Sequence, residues 1–127
     1  MGQIELSYVL IEYNDPIVFY HYKGETELGF PEIKELTTCA ETLSGGKPYL
    51  TFSDVRGDVK ITPEGKRYLS DFKNLPLFRG AAALVDTKMK RVAANFFSHF
   101  EKKAYPFRAF TNQQKAIHWL RTLPLNK

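Results

Sequence analysis

The run Ala81-Ala82-Ala83-Leu84-Val85, closed by Asp86, is the stretch that most narrows the folds open to this chain. A nearly all-apolar segment of that length, without polar alternation, reads as a central strand covered by helices on both faces. Its alanines leave room for helices to approach closely. Such a strand needs neighbours in a sheet, and the rest of the chain offers them as strand and helix signals in alternation.

Ile4 to Tyr13 alternates loosely, with Ile4, Leu6, Tyr8 and Leu10 on one side and Val9 and Ile11 on the other, which predicts one strand. Asn14-Asp15-Pro16 supplies turn chemistry. Ile17 to Tyr22 is a second, β-branched and aromatic strand, so the pair forms an antiparallel hairpin that Lys23-Gly24 ends. Pro31 suits a first helical turn, and Ile33, Leu36, Ala40 and Leu43 recur at helical steps, giving a helix over about 31–43 that Ser44-Gly45-Gly46 stops. Tyr49 to Ser53 is the next strand. After a polar loop from Val55 to Ile61, Thr62 and Pro63 start a second helix with Tyr68, Leu69 and Phe72 facing inward, and Leu75 to Phe78 is an apolar connection. Met89, Val92, Ala93, Phe96, Phe97 and Phe100 predict a third helix, with Asp86 or Thr87 as its cap. Ala104 to Phe110 is a last strand, and Pro106 near its start predicts an edge position. Thr111 and Gln114 suit a capping box for a fourth helix, with Ala116, Ile117, Leu120 and Trp119 as its inner residues.

The order ββαβαβαβα predicts an α/β fold: a mixed sheet of about five strands with about four helices, begun by the hairpin and extended by right-handed crossovers. With 127 residues, 43% hydrophobic and 25% charged, residues 1–127 fit one globular domain rather than a disordered chain. No apolar run is long enough to span a bilayer, and the opening Met1 to Leu6 lacks the features of a secretory signal, so a cytoplasmic protein is expected. The lone Cys39 agrees with a reducing compartment and reads as a small buried hydrophobe. Charge is uneven: residues 1–87 hold 9 Lys+Arg against 13 Asp+Glu, and residues 88–127 hold 9 against 1. The basic end is open to two readings, an acidic partner or lysines on solvated helices around a sheet.

Strand, exposed loop and helix start over residues 53–65 gather most of what is polar and unusual. In open α/β sheets, ligands and partners bind at the carboxyl ends of strands. The candidate partner-binding residues are Ser53, Asp54, Arg56, Asp58, Thr62 and Glu64. No catalytic, metal or cofactor signature accompanies them. His21, His99 and His118 are far apart in sequence, and Asp54 and Asp58 have no base, nucleophile or metal ligand nearby. Ser44-Gly45-Gly46-Lys47 lacks P-loop spacing and precedes a strand where phosphate cradling needs a helix.

The element order and the C-terminal third carry a family resemblance. Ala81 to Asp86, Asn95-Phe96-Phe97, Tyr105-Pro106-Phe107-Arg108-Ala109-Phe110-Thr111 and Ala116-Ile117-His118-Trp119-Leu120 resemble the STAS fold, and more closely the SpoIIAA-like (STAS/SEC14-like) proteins. In STAS regulators that act as anti-sigma-factor antagonists, a Ser at the start of the helix after the third strand is phosphorylated within an Asp-Ser-Ser-Gly-Leu pattern. Matching Gly65 to that glycine sets Thr62 over the Asp and Pro63 over the phosphorylated Ser. The usual acceptor is therefore missing, Thr62 is the remaining candidate acceptor, and Glu64 is a fixed negative charge at a helix start. Equally, Thr62 reads as an N-cap and Glu64 as a first-turn acid.

The resemblance implies a non-catalytic regulatory module that presents residues 53–65 and the second helix to a protein partner. The alternative it implies is binding of a small apolar ligand or lipid, with Phe96, Phe97, Phe100 and Trp119 as candidate lining. Nucleic-acid binding ranks third, as weak salt-dependent attraction to the basic end. A homodimer through the hairpin edge or the fourth helix is a further expectation, and no cofactor is expected.

Overall fold

A computed structural model describes residues 2–57, 59–86 and 105–125, with the backbone alone at Phe72. Strands β1 (Gly2–Glu5), β2 (Val9–Asn14) and β3 (Ile17–Tyr22) form an antiparallel meander. Next come β4 (Thr26–Leu28), α1 (Phe30–Ser44), β5 (Tyr49–Asp54), β6 (Val59–Ile61), α2 (Pro63–Ser70) and a short 3-10 turn at Phe72–Asn74. The described chain ends with β7 (Phe78–Leu84), β8 (Phe107–Phe110) and α3 (Gln113–Leu120). The main sheet has six strands in the order β1-β2-β3-β5-β7-β8, in which β3, β5, β7 and β8 run parallel. β4 and β6 form a separate two-stranded parallel pair.

Alternation along the strands divides the core in two. Val9, Ile11, Tyr13, Val18, Tyr20 and Tyr49 face α1, where Ile33, Leu36 and Ala40 meet them. Ile17, Leu50, Phe52, Ala82 and Leu84 face the other way, against Ala116 and Leu120 of α3. The small residues of β7 admit this close packing: a Cβ on Gly80 would lie 2.6 Å from Leu123 Cδ1. The expected turn at Asn14-Asp15-Pro16 joins β2 to β3, with a cis Asp15–Pro16 peptide. Gly45 takes the left-handed conformation after α1, as its position predicts, with φ of 66°. β8 lies at the sheet edge, where Pro106 placed it.

The expected sheet of about five strands and about four helices is corrected. The described residues hold eight strands in sheets of six and two, and three helices. The strand expected over 4–13 is two, because the chain folds back at Leu6-Ser7-Tyr8, where the Leu6 N–H donates to the Val9 carbonyl at 2.9 Å. Apolar residues continue through that turn, so periodicity hides it. β4 and β6 have three residues each, too short for a periodic signal. Phe78, expected in a connection, begins β7. The helix expected over 89–100 lies outside the described residues.

The expected cap of the last helix is also corrected. Asn112, not Thr111, is the N-cap, its side chain accepting the Lys115 N–H at 3.0 Å. Asn ranks above Thr at that position.

Leu120 is fully buried at the end of α3. Leu120→Ala is expected to lower stability by about 2–5 kcal/mol, read from urea unfolding, whereas His118→Ala on the exposed side of α3 should stay within about 0.5 kcal/mol of the parent.

Candidate functional site

The candidate stretch begins inside the sheet. Because side chains alternate along β5, Ser53 faces the α1 side with Tyr49 and Thr51, while Asp54 faces the α3 side with Leu50 and Phe52. Ser53 therefore lines a cavity of about 140 Å³ between sheet and helices rather than joining an exposed loop surface. It lies beside the Tyr22 phenol, whose pKa burial pushes up and the Ser53 hydroxyl partly pulls back.

Asp54 ends the strand and folds the loop back on itself. Its Oδ1 accepts the Arg56 backbone N–H at 3.2 Å and Nε–H at 2.9 Å, and its Oδ2 accepts Nη2 at 2.7 Å. This two-pronged geometry suits the planar guanidinium. The Arg56 hydrogen bond holds the Asp54 carboxyl below its usual range, with the nearby His21 a smaller contributor and burial opposing. Asp54 in turn raises the Arg56 pKa. The Val55 N–H donates to the Leu84 carbonyl at 3.0 Å, so the start of the loop is tied to β7.

β6 then pairs with β4, and both strands run directly into helix starts. The Thr62 N–H donates to the Leu28 carbonyl at 3.0 Å, setting α2 beside the N-terminus of α1. Both helices are capped. The Glu32 carboxylate accepts the Gly29 N–H at 2.9 Å, and the Thr62 hydroxyl accepts the Gly65 N–H at 3.1 Å. The N-cap reading of Thr62 thus holds. Gly65 permits the close approach, since a Cβ there would lie 2.8 Å from the Leu28 carbonyl oxygen and 3.0 Å from Ile61 Cγ2. Glu64 is exposed in the first turn of α2, 3.8 Å from Arg67 Nη2.

The candidates do not form one cluster. Ser53 faces the cavity, Asp54 and Arg56 pair with each other, Thr62 and Glu64 belong to the entrance of α2, and Asp58 lies outside the described residues. His21 Nε2 is 2.9 Å from Glu12 Oε1, His118 is exposed on α3, and His99 lies outside the described residues. Among the described residues no group of His, Cys, Asp and Glu could hold a metal ion, and no helix is long and apolar enough to cross a membrane. Cys39 is half-buried on α1, and burial, with Glu35 a smaller cause, pushes its thiol pKa up, away from the thiolate that nucleophilic chemistry needs.

Sequence reasoning missed Phe30 and Tyr68 as surface features. Phe30, 44% exposed, is the large hydrophobic side chain left open among the described residues. Its ring meets that of Tyr68 edge-on with centroids 5.1 Å apart, and the Lys34 ammonium lies 5.9 Å from its centroid. Glu64, Arg67, Asp71 and Asn74 complete a shallow groove around the two rings. Phe30 directly precedes Pro31 and stands three residues before Ile33, at the spacing of the inward stripe of α1, so nothing in the sequence marks it as facing solvent. The proposed apolar-ligand lining fares differently: Trp119 packs near Phe110 on the α3 side, opposite the cavity, and Phe96, Phe97 and Phe100 lie outside the described residues.

An α/β chain whose mixed sheet leads from a parallel strand through a loop into a capped helix is the class this geometry defines. A crystal structure of an uncharacterized protein from the DUF3478 family, with a SpoIIAA-like fold, from Shewanella loihica PV-4, is similar to it: 15% identity, a TM-score of 0.57, and coverage of 94% of this chain and 99% of that one. That likeness shows the fold, in agreement with the resemblance read from the sequence. The family model of a domain of unknown function, DUF7793, matches residues 10–124, and the chain belongs to that family. No curated protein matches it.

Two predictions follow from the α2 entrance and the Asp54 pair. Thr62→Ala is expected to cost about 1 kcal/mol through the lost cap, and Gly65→Ala about 1–3 kcal/mol. In an open helix the second change would be favourable by about 1 kcal/mol, so denaturant melts of both variants test whether the contact with Leu28 decides the sign. Asp54 has a depressed folded-state pKa, so its contribution is present above the ordinary carboxylate range and is lost as pH falls through the lowered value. Between neutral pH and about pH 3, Asp54→Asn should lose less stability than the parent chain, and an equal loss in urea melts would refute the assignment.

Proposed function

We propose that this domain is a non-catalytic regulatory module that binds a protein partner through the strand-loop-helix over residues 53–65, α2 and the adjoining Phe30. The observation that carries the reading is the exposed Phe30 ring, set against Tyr68 and rimmed by Glu64, Arg67, Asp71 and Asn74. Aromatic side chains and Arg supply most of the energy at protein interfaces when a polar rim excludes water around them. Support also comes from the entrance itself: two capped helix starts held together by the β4–β6 pair form a surface already in its binding shape, which reduces the entropy lost on association.

Asp54 and Arg56 act in this reading as the rigid end of β5. Regulation by a phosphate at the position the resemblance marks would need a hydroxyl, and Pro63 has none. Thr62 is the nearest hydroxyl, and its engagement with the Gly65 N–H means that its phosphorylation would remove the α2 cap as well as add charge beside Glu64. Such a modification works by loosening the entrance.

The test begins with affinity purification of the chain from its native cell and measurement of the recovered partner's affinity by calorimetry. Phe30→Ala with Arg67→Glu is expected to weaken binding at least about ten-fold while the far-ultraviolet circular dichroism stays that of the parent. The reading fails if the partner binds with unchanged affinity both to that variant and to a chain with Asp54, Arg56 and Glu64 replaced together.

A further inference from the structure

The cavity between the sheet and α1 holds more polar chemistry than its apolar walls require. Its floor is β5, where Tyr49, Thr51 and Ser53 follow at two-residue steps and share one face. Tyr49 is 2% exposed and Thr51 7%. Among the described residues neither hydroxyl has a hydrogen-bond partner. Three other hydroxyls around the cavity are satisfied: Tyr20 donates to the Leu36 carbonyl at 3.3 Å, Thr37 to the Ile33 carbonyl at 2.9 Å, and Tyr105 to the Leu69 carbonyl. Buried polar groups nearly always find a partner, so two unpaired hydroxyls side by side on one strand mark a place where something else supplies it.

Size and wall chemistry limit what that is. The volume is about 140 Å³. An apolar cavity of about 150 Å³ accommodates one benzene molecule, whereas pockets for larger ligands begin at about 300 Å³. An acyl chain is too long for this space, and a single ring fits. Among the described residues the remaining walls are apolar side chains such as Leu28, Ile33, Leu36, Leu75 and Phe78, with no charged side chain to pair an ion, which favours a neutral occupant. Burial raises the Tyr49 phenol above its usual pKa and keeps it a protonated donor.

We propose that this cavity is a binding site for a neutral molecule of single-ring size bearing one hydroxyl or carbonyl group. Its ring lies among Leu36, Phe78 and the neighbouring aliphatic side chains, and its polar group exchanges hydrogen bonds with Tyr49 and Thr51. The site is distinct from the Phe30 surface, and binding there does not depend on a protein partner.

Phenol and toluene, which share a ring and differ by hydroxyl against methyl, are the probes. Each is titrated into the full chain and followed by calorimetry and by amide chemical shifts along β5. Phenol is expected to bind one to one and roughly ten-fold more tightly than toluene. Tyr49→Phe combined with Thr51→Val should bring phenol down to the affinity of toluene and leave toluene unchanged. Tyr49→Phe alone, which removes one oxygen, should close part of that gap and stands in if the double variant does not fold. Ala81→Leu, which fills the cavity from β7, should abolish binding of both probes. The proposal is overturned if neither probe binds, as for a cavity holding only water, if the parent chain binds the two equally, or if the preference for phenol is undiminished in Tyr49→Phe.

Discussion

The burial of β5 on both faces is the constraint on which the rest of the architecture depends. Phe52 is 1% exposed, and Tyr49, Leu50 and Thr51 are buried with it. A strand so enclosed must pair on both sides to satisfy its backbone, and it does so in parallel with β3 and β7. Parallel neighbours in turn require crossovers, which bring α1 and α2 into the connections on either side of it. Leu50 and Phe52 hold α3 to one face, and Tyr49 and Thr51 form the floor under α1 on the other. The strand thus links the two halves of the core and carries the chain to Asp54.

Beyond Asp54 the energetics change character. The pairing of Asp54 with Arg56 is partly exposed on its Arg56 side, so it shapes the loop more than it stabilises the fold. The α2 entrance is held by short-range geometry instead: the β4–β6 pair, the Thr62 cap, and the contact of Gly65 with the Leu28 carbonyl. A glycine in a helix ordinarily weakens it, and here a methyl group would force the backbones apart. Gly65 thus has a packing role in this chain. Two candidate binding features result on different sides of one motif, an exposed aromatic groove at α2 and a cavity under α1.

Much of this was readable from residue types alone where the signal was local. The Asn14-Asp15-Pro16 turn, the Pro31 start and Gly45 stop of α1, the Thr62 cap and the edge position of the strand after Pro106 all follow from backbone preferences of one or two residues. The fold at Leu6-Ser7-Tyr8 carried no such signal, since Ser7 is an unremarkable residue in a strand. β4 and β6 are too short to show alternation and exist because two distant segments meet. Asn112 displaced Thr111 as a cap by a single position, the scale at which helix ends are set by the surrounding packing.

The sequence by itself determined the α/β class, the alternation that splits the core between α1 and α3, and the Thr62 cap that begins α2, because each rests on the spacing or backbone preference of neighbouring residues. Only the tertiary structure decided that Ser53 faces a cavity while Asp54 faces away, that Phe30 stands open beside Tyr68, and that Tyr49 and Thr51 are buried without partners. Those facts depend on what residues far apart in the chain bring to the same place, and a hydroxyl or an aromatic ring carries no mark in the sequence of whether its partner will arrive.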